Sequence, residues 1–144
     1  MEFAISHPYE DPRILFVAPV RKFSRGPLES PEQIALVRLL RRNKIAHFAV
    51  PNGHERDDHI AKILKAEGVN AGAPDLMLWE QEGVESALGL WGGLEMKRIT
   101  GTPGDARSEQ TAWLSRIINC GGFGLVAAGE RAAVYGLKHL GYHL

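Results

Sequence analysis

Short apolar stretches alternate with helix-like patterns along this chain of 144 residues. Runs rich in strand-forming residues predict strands over 13–20, 45–50, 74–79, 88–98 and 123–128. Apolar residues at helical spacing predict helices over 30–42, before Gly68, over 108–120 and over 130–140. Because strands and helices interleave, with one expected hairpin between 74–79 and 88–98, the pattern predicts an α/β fold with a mixed central sheet.

The first 30 residues differ from the rest of the chain. The apolar run 13–20 closes at Pro19 and predicts an edge strand or an extended arm. A basic connector that contains Gly and Pro follows, and then Ser30 and Pro31 suit the cap and first position of a helix. We therefore divide the chain into an N-terminal arm or edge strand, 1–30, and a main domain, 31–144.

Composition narrows the class of protein. The chain has 17 basic and 17 acidic residues and 44% hydrophobic residues, which excludes a disordered polymer and a uniformly basic chain. The apolar run that ends at Val20 is far shorter than the roughly 20 residues of a membrane helix. No signal peptide is visible, and the single cysteine, Cys120, cannot form an internal disulfide. These features predict a cytoplasmic protein that is not bound to a membrane.

Two carboxylates and a lysine form the strongest chemical signal. Side chains alternate across a strand, so Glu95 and Lys97 point to one face while Leu94 and Met96 point to the other. If the expected hairpin forms, Asp75 comes beside Glu95. Two neighbouring carboxylates repel each other, and a divalent cation such as Mg²⁺ or Mn²⁺ commonly holds them together. When a Glu and a Lys two residues apart on a strand are the only signal, a surface ion pair near an unrelated Asp is the commoner explanation.

Two helices carry polar residues on their expected core-facing stripes. Glu32 lies four residues before Leu36, and Gln110 lies four residues before Leu114. A polar residue in the first turn of a helix, at the rim of the core, is common, so either residue alone indicates no functional site. Taken together with the carboxylates of the sheet, they predict one shared polar site.

Four segments in order complete a recognisable pattern: 51–53 (PNG), 72–76 (GAPDL), 94–97 (LEMK) and 108–110 (SEQ). From Glu32 to Ala128 the sequence resembles the VRR-NUC family of PD-(D/E)xK nucleases. The resemblance implies a restriction-endonuclease-like core and a VRR-NUC-like nuclease domain over 31–144. It also implies a metal-dependent endonuclease that cuts branched DNA, at a junction or a flap, as a homodimer.

The resemblance assigns roles to individual residues. Asp75 and Glu95 bind the metal ion, with a main-chain oxygen of Met96, and Lys97 assists the attacking water. Glu32 supports a metal, and Gln110 completes the site. Two alternatives stay open: a DNA-binding module that keeps the fold without cutting, and a nuclease that acts on RNA or on single strands.

A neutral chain must bind DNA through local basic clusters. Segment 32–44 carries four basic residues and one acidic residue, whereas 75–85 carries four acidic residues and no basic one. A solvated outer face is the commoner role of such a basic run, but phosphate contacts use the same residue types. The candidate nucleic-acid-binding residues are Arg38, Arg41, Arg42, Asn52, Arg56, Arg98 and Arg107. For the homodimer, 13–20 could pair its edge with a neighbouring copy, and the equal alternative is that it only adds an edge strand to its own sheet.

Overall fold

The computed structural model of the protein describes residues 1–51 and 58–144. Six strands form one sheet: β1 (Phe3–Ser6), β2 (Leu15–Pro19), β3 (Ile45–Ala49), β4 (Leu76–Gln81), β5 (Gly92–Lys97) and β6 (Phe123–Ala128). Four α-helices accompany the sheet: α1 (Glu29–Arg42), α2 (Asp58–Ala66), α3 (Ser108–Asn119) and α4 (Glu130–Leu140). The prediction of an α/β fold with a mixed sheet is confirmed.

The strands lie in the order β1-β2-β6-β5-β4-β3. Strands β2, β6 and β5 are parallel, whereas β1, β4 and β3 pair antiparallel to their neighbours. The prediction of an edge strand or arm over 13–20 is wrong, because β2 lies between β1 and β6. The short strand β1, which has only four residues, occupies that edge instead, and its Phe3 and Ile5 pack against the core.

Helices cover both faces of the sheet. On one face, α1 and α4 bury Leu36 and Leu137 in the same core as Leu94 of the central strand β5. On the other face, α3 buries Leu114 and Ile117 in a second, smaller core. The two cores flank β5 and β6, whose residues are all buried. The polar residues of β5 are therefore held in a rigid, water-poor environment.

The cap residues of α1 and α3 precede the serines at the predicted starts of these helices, by two residues before Ser30 and by one residue before Ser108. Leu28 caps α1 and Arg107 caps α3, and neither side chain caps the helix with a hydrogen bond. Ser30 therefore lies in the first turn of α1, followed by Pro31. Proline is tolerated there because the first four N–H groups of a helix have no partner within it.

The apolar stripe of helix α2 is exposed to solvent. None of its residues is buried, and Ile60 and Ile63 are each 46% exposed. The helix that the pattern predicts before Gly68 is present, but its stripe does not join the core. Within residues 1–51 and 58–144, no helix has the length and apolar character needed to cross a lipid bilayer.

Candidate active site

The β4–β5 hairpin brings Asp75 to the strand that carries Glu95 and Lys97. Leu76 is paired with Leu94 in this antiparallel ladder, and Asp75 lies just before β4. One carboxylate oxygen of Asp75 accepts a hydrogen bond of 2.7 Å from the main-chain N–H of Met96. The hairpin thus fastens Asp75 beside Glu95, as the expected pairing required.

The loop before Asp75 also approaches the first turn of α3 closely. Gly72 has a φ of +84°, and a Cβ atom there would lie 2.7 Å from the main-chain carbon of Glu109. Only glycine allows the segment before Asp75 to rest on the first turn of α3. The same turn of α3 carries Gln110, so the loop and the helix converge on one side of β5.

Gln110 joins the groups of the site. Its side-chain N–H donates to Glu95 Oε1 at 2.7 Å, and its side-chain oxygen accepts from Lys97 Nζ at 3.2 Å. The same oxygen accepts from the main-chain N–H of Arg107 at 2.8 Å. Lys97 Nζ also lies 3.6 Å from Glu95 Oε1. The structure therefore brings Asp75, Glu95, Lys97 and Gln110 together, and their catalytic roles stay predictions.

Burial makes the carboxyl group of Glu95 unusually basic. Glu95 is 3% exposed, and its pKa is raised to about 8, first by desolvation and then by the negative charge of Asp75. The positive charge of Lys97 opposes this rise. Glu95 Oε2 is also buried and has no hydrogen-bond partner among the described residues. Such a group is poised to gain a positively charged or hydrogen-bonding ligand.

We tested whether these residues suit a divalent metal ion. In the described part of the chain, no three His, Cys, Asp or Glu side chains are grouped so that they could hold one. Mg²⁺ commonly uses only one or two protein carboxylates and completes its shell with phosphate oxygens and water. Asp75 and the buried, unpartnered Oε2 of Glu95 fit that requirement. The main-chain oxygen of Met96 stays a predicted ligand.

Glu32 is bonded to helix α4, and its support of a metal stays a prediction. Its carboxylate accepts a hydrogen bond of 2.6 Å from the main-chain N–H of Glu130, at the start of α4. Glu29, one turn earlier in α1, is the residue of that helix whose charge contributes to the raised pKa of Glu95. The charge of Glu29 thus acts on Glu95, and Glu32 ties the first turn of α1 to α4.

The predicted DNA-binding residues fall into separate places. Arg98 and Arg107 are next to the site, at the end of β5 and at the start of α3. Arg98 also donates to the main-chain oxygens of Gly26 and Pro27, at 2.9 and 3.3 Å. Asn52 and Arg56 lie outside the described residues.

The arginines of α1 lie away from the site. Arg38, Arg41 and Arg42 are exposed in the second half of the helix. At 1.5 Å per residue, Arg41 is about 18 Å along the axis from Glu29. The two ends of α1 are therefore too far apart to contact the same phosphate.

The fold has a counterpart among solved structures. A protein described as a "VRR_NUC domain protein" superposes with a TM-score of 0.56, over 81% of this chain and 89% of the other, at 20% identity. The fold is similar to that of a VRR_NUC domain. The predicted VRR-NUC resemblance is thus confirmed for the fold. No family model and no curated protein matches the sequence.

Several residues around this site were not predicted from the sequence. Glu29 shares a helix face with Glu32 at a spacing of three residues, a signal that was available. The close approach at Gly72 depends on α3, which is more than 30 residues away in sequence. The charge of Glu95 contributes to the raised pKa of Tyr9, although no sequence motif includes Tyr9. Contacts of this kind depend on long-range packing.

Proposed function

We propose that this protein is a metal-dependent endonuclease that hydrolyses phosphodiester bonds in branched DNA, at a junction or a flap. The observation that carries the proposal is the unpartnered, buried Oε2 of Glu95 beside Asp75 and Lys97. The similarity of the fold to that of a VRR_NUC domain protein supports it. Mg²⁺ or Mn²⁺ is the proposed cofactor, and the cytoplasm is the proposed location.

Each residue of the site has a separate role in the proposed hydrolysis. Asp75, Glu95 and the main-chain oxygen of Met96 would hold the cation, which would neutralise charge on the phosphate and acidify a bound water. Lys97 Nζ lies 3.6 Å from Glu95 Oε1 and assists the attacking water by stabilising negative charge or carrying a proton. Gln110 orients both side chains, since it bonds Glu95 Oε1 and Lys97 Nζ. Glu32 supports the site from α1.

The test of this proposal is a cleavage panel. Duplex, flap, splayed-arm and four-way-junction DNA and an RNA strand are incubated with the protein in Mg²⁺, Mn²⁺ or EDTA. We expect cleavage of flap or junction DNA in either metal and none in EDTA. Preferred cleavage of RNA or single strands would establish the alternative nuclease substrate. Tight DNA binding without any cleavage would identify a non-cutting module instead.

The arginines of α1 supply the first quantitative prediction. Replacing Arg38, Arg41 and Arg42 together by glutamine should weaken DNA binding on every sequence. The slope of log affinity against log salt should fall by about 0.9 for each phosphate that these side chains no longer neutralise. The control is Lys138→Gln, which removes a charge from the last turn of α4. An unchanged slope in the triple variant would place the DNA elsewhere on the protein.

The homodimer needs a different surface from the one predicted. Strand β2 is paired on both sides and has no free edge to offer. At the opposite end of the sheet, β3 is an edge strand, and its Phe48 is 53% exposed. The ring of Phe48 packs against that of the 38% exposed Trp79, with centroids 5.3 Å apart.

We propose that a second copy of the chain binds at the aromatic edge formed by Phe48 and Trp79. The groove beside Trp79 is lined by both Lys44 and the acidic residues Glu80 and Glu82. A two-fold interface must be complementary to itself, which a rim with both signs of charge allows. The two glutamates disfavour a nucleic-acid phosphate at the same place.

Light scattering tests this interface. The wild-type protein should have about twice the chain mass of 15.8 kDa, and Phe48→Glu should shift it to a monomer, because an isologous interface would bury two unpaired carboxylates. Ile34→Glu is the matched control, since Ile34 is 52% exposed on α1. A monomeric wild-type protein would refute the dimer. A Phe48→Glu variant that stays dimeric would show that β3 does not form the interface.

A further inference from the structure

Residues 20–28, which we call the connector, join β2 to α1 without forming a helix or a strand. Strands β2, β6 and β5 are parallel and lie side by side, so their carboxyl ends share one edge of the sheet. Lys97, the last residue of β5, lies at this edge beside Ala128. In open α/β sheets, ligands bind outside the carboxyl ends of the strands. The connector therefore leaves β2 at the edge of the sheet where the candidate active site lies.

The second half of the connector is fixed to the residues that follow β5. The guanidinium of Arg98 donates to the main-chain oxygens of Gly26 and Pro27, at 2.9 and 3.3 Å. A Cβ atom at Gly26 would collide with the side chain of Ile99, so this close approach requires glycine. The connector thus lies directly beside the end of the strand that carries Lys97.

The first half of the connector is also held. The main-chain N–H of Val20 donates to the main-chain oxygen of Glu2 at 2.9 Å, at the edge of the sheet. The guanidinium of Arg21 lies 5.5 Å from the centre of the Phe23 ring, a cation–π contact. Because both ends of the connector are anchored, its middle, residues 21–25, is presented at a defined place.

The middle of the connector carries positive charge that nothing balances locally. Arg21, Lys22 and Arg25 are all exposed, and residues 20–28 include no acidic residue. None of the three cations forms an ion pair with a residue in 1–51 or 58–144. The main-chain N–H groups of 21–26 likewise donate to no residue in the described ranges. Cationic side chains and main-chain N–H groups are the donors that proteins use to bind phosphate oxygens.

Two polyanionic partners suit such a surface, a nucleic acid and an anionic membrane. Val20 and Leu28, which are 56% and 64% exposed, border the basic residues, and basic segments also bind anionic lipids. The position of the connector favours DNA. A DNA strand with one phosphate held by Glu95 and Lys97 passes close to the end of β5, where Arg98 anchors the connector.

We propose that the connector binds the phosphate backbone of the DNA next to the scissile phosphate, through Arg21, Lys22 and Arg25. This inference rests on the proposed nuclease function and adds a binding surface outside the span that resembles the nuclease family. Arg98 is then a positioning residue, because it acts on DNA through the connector that it anchors.

The first test measures the binding of flap DNA in EDTA at several salt concentrations. Lys22→Gln/Arg25→Gln is compared with Arg116→Gln/Lys138→Gln, which removes the same two residue types from the last turns of α3 and α4. The slope of log affinity against log salt should fall by about 0.9 for each lost phosphate contact, or about 1.8 in the connector variant. The slope of the control should not change. Both variants should cleave saturating DNA within a few fold of the wild-type rate, because neither touches the metal ligands or Lys97.

A photocrosslink locates the DNA on the protein. Ser24, exposed in the middle of the connector, is changed by Ser24→Cys in a Cys120→Ser background and carries an azidophenacyl group. In the control, the exposed native Cys120 carries the same group, just before the start of β6 and thus at the opposite end of the sheet from the candidate site. We expect crosslinks to flap DNA from the connector and none from Cys120.

An unchanged salt slope in Lys22→Gln/Arg25→Gln would overturn the proposal, as would an equal fall in the control or equal crosslinking from both positions. Weaker binding to phosphatidylserine vesicles, with DNA binding unchanged, would overturn it in favour of a membrane surface. If the wild-type protein cleaves nothing, the nuclease function fails by itself. A lower salt slope and a crosslink confined to the connector would in that case still establish the connector as a DNA-binding surface.

Discussion

Replacing Glu95 by glutamine is expected to abolish cleavage and, at the same time, to make the metal-free protein more stable to heat. Glutamine has nearly the same shape and still accepts the hydrogen bond from Gln110, so the packing survives. It carries no charge with which to hold a cation, so metal-dependent cleavage should fall to background. Function and stability are thus predicted to change in opposite directions.

The gain in stability depends on pH in a defined direction. Unfolding lets Glu95 lose its proton near its ordinary pKa of 4.5, whereas in the folded protein its pKa is about 8. The folded state therefore binds more protons between these values, and the free energy of unfolding falls as pH rises from about 4.5 to 8. Glutamine removes this loss, so the advantage of the variant should grow across the same range.

The size of the effect can be measured by thermal unfolding. Each pKa unit corresponds to about 1.4 kcal/mol, so the gain at pH 8 is on the order of a few kcal/mol, or roughly 5–10 °C in Tm. Addition of Mn²⁺ should raise the Tm of the wild-type protein and leave that of Glu95→Gln unchanged. Wild-type cleavage by this variant, or an equal response to Mn²⁺, would remove Glu95 from the metal site.

Asp75→Asn is the companion variant. Asparagine keeps an oxygen that can accept the main-chain N–H of Met96, so the hairpin should survive. Its loss of charge should abolish cleavage as well. It should also lower the pKa of Glu95, because the charge of Asp75 contributes to the rise. A Tm that falls less with pH than that of the wild-type protein would show this coupling.

Lys97→Ala is expected to bind metal and DNA but to cleave very slowly. Lys97 is 9% exposed and is held by Glu95 and Gln110, so its amino group has a fixed position at the site. A positioned proton-transfer group commonly contributes about 10²- to 10⁴-fold to a rate. Single-turnover cleavage at saturating metal and DNA should fall by that factor.

The variant of Lys97 needs a control for the removal of charge. Arg98→Ala removes the next cation along the chain, which is exposed and bonded to the connector before α1. We expect Arg98→Ala to weaken DNA binding and its salt dependence while the rate on bound DNA stays within a few fold. Equal effects in both variants would show that Lys97 acts only through general positive charge, and full activity in Lys97→Ala would exclude its catalytic role.

Local sequence patterns determined much of this structure. The predicted strand over 123–128 and the predicted helix over 130–140 coincide with β6 and α4. The alternation in β5 placed Glu95 and Lys97 on the face opposite Leu94 and Met96, and the structure has them so. These properties follow from periodicity within a few neighbouring residues, which side-chain direction converts into a face of the sheet.

Only the tertiary structure decided which groups meet. The run 13–20 forms a strand as predicted, but its place inside the sheet depends on β1, which is too short to be visible as a pattern. The hydrogen bond of Glu32 to α4, the charge of Glu29 near Glu95 and the burial of Tyr9 likewise depend on packing between distant segments. Periodicity reports which face of an element is apolar, whereas the partner of each polar group is set by the paths of segments far apart in sequence.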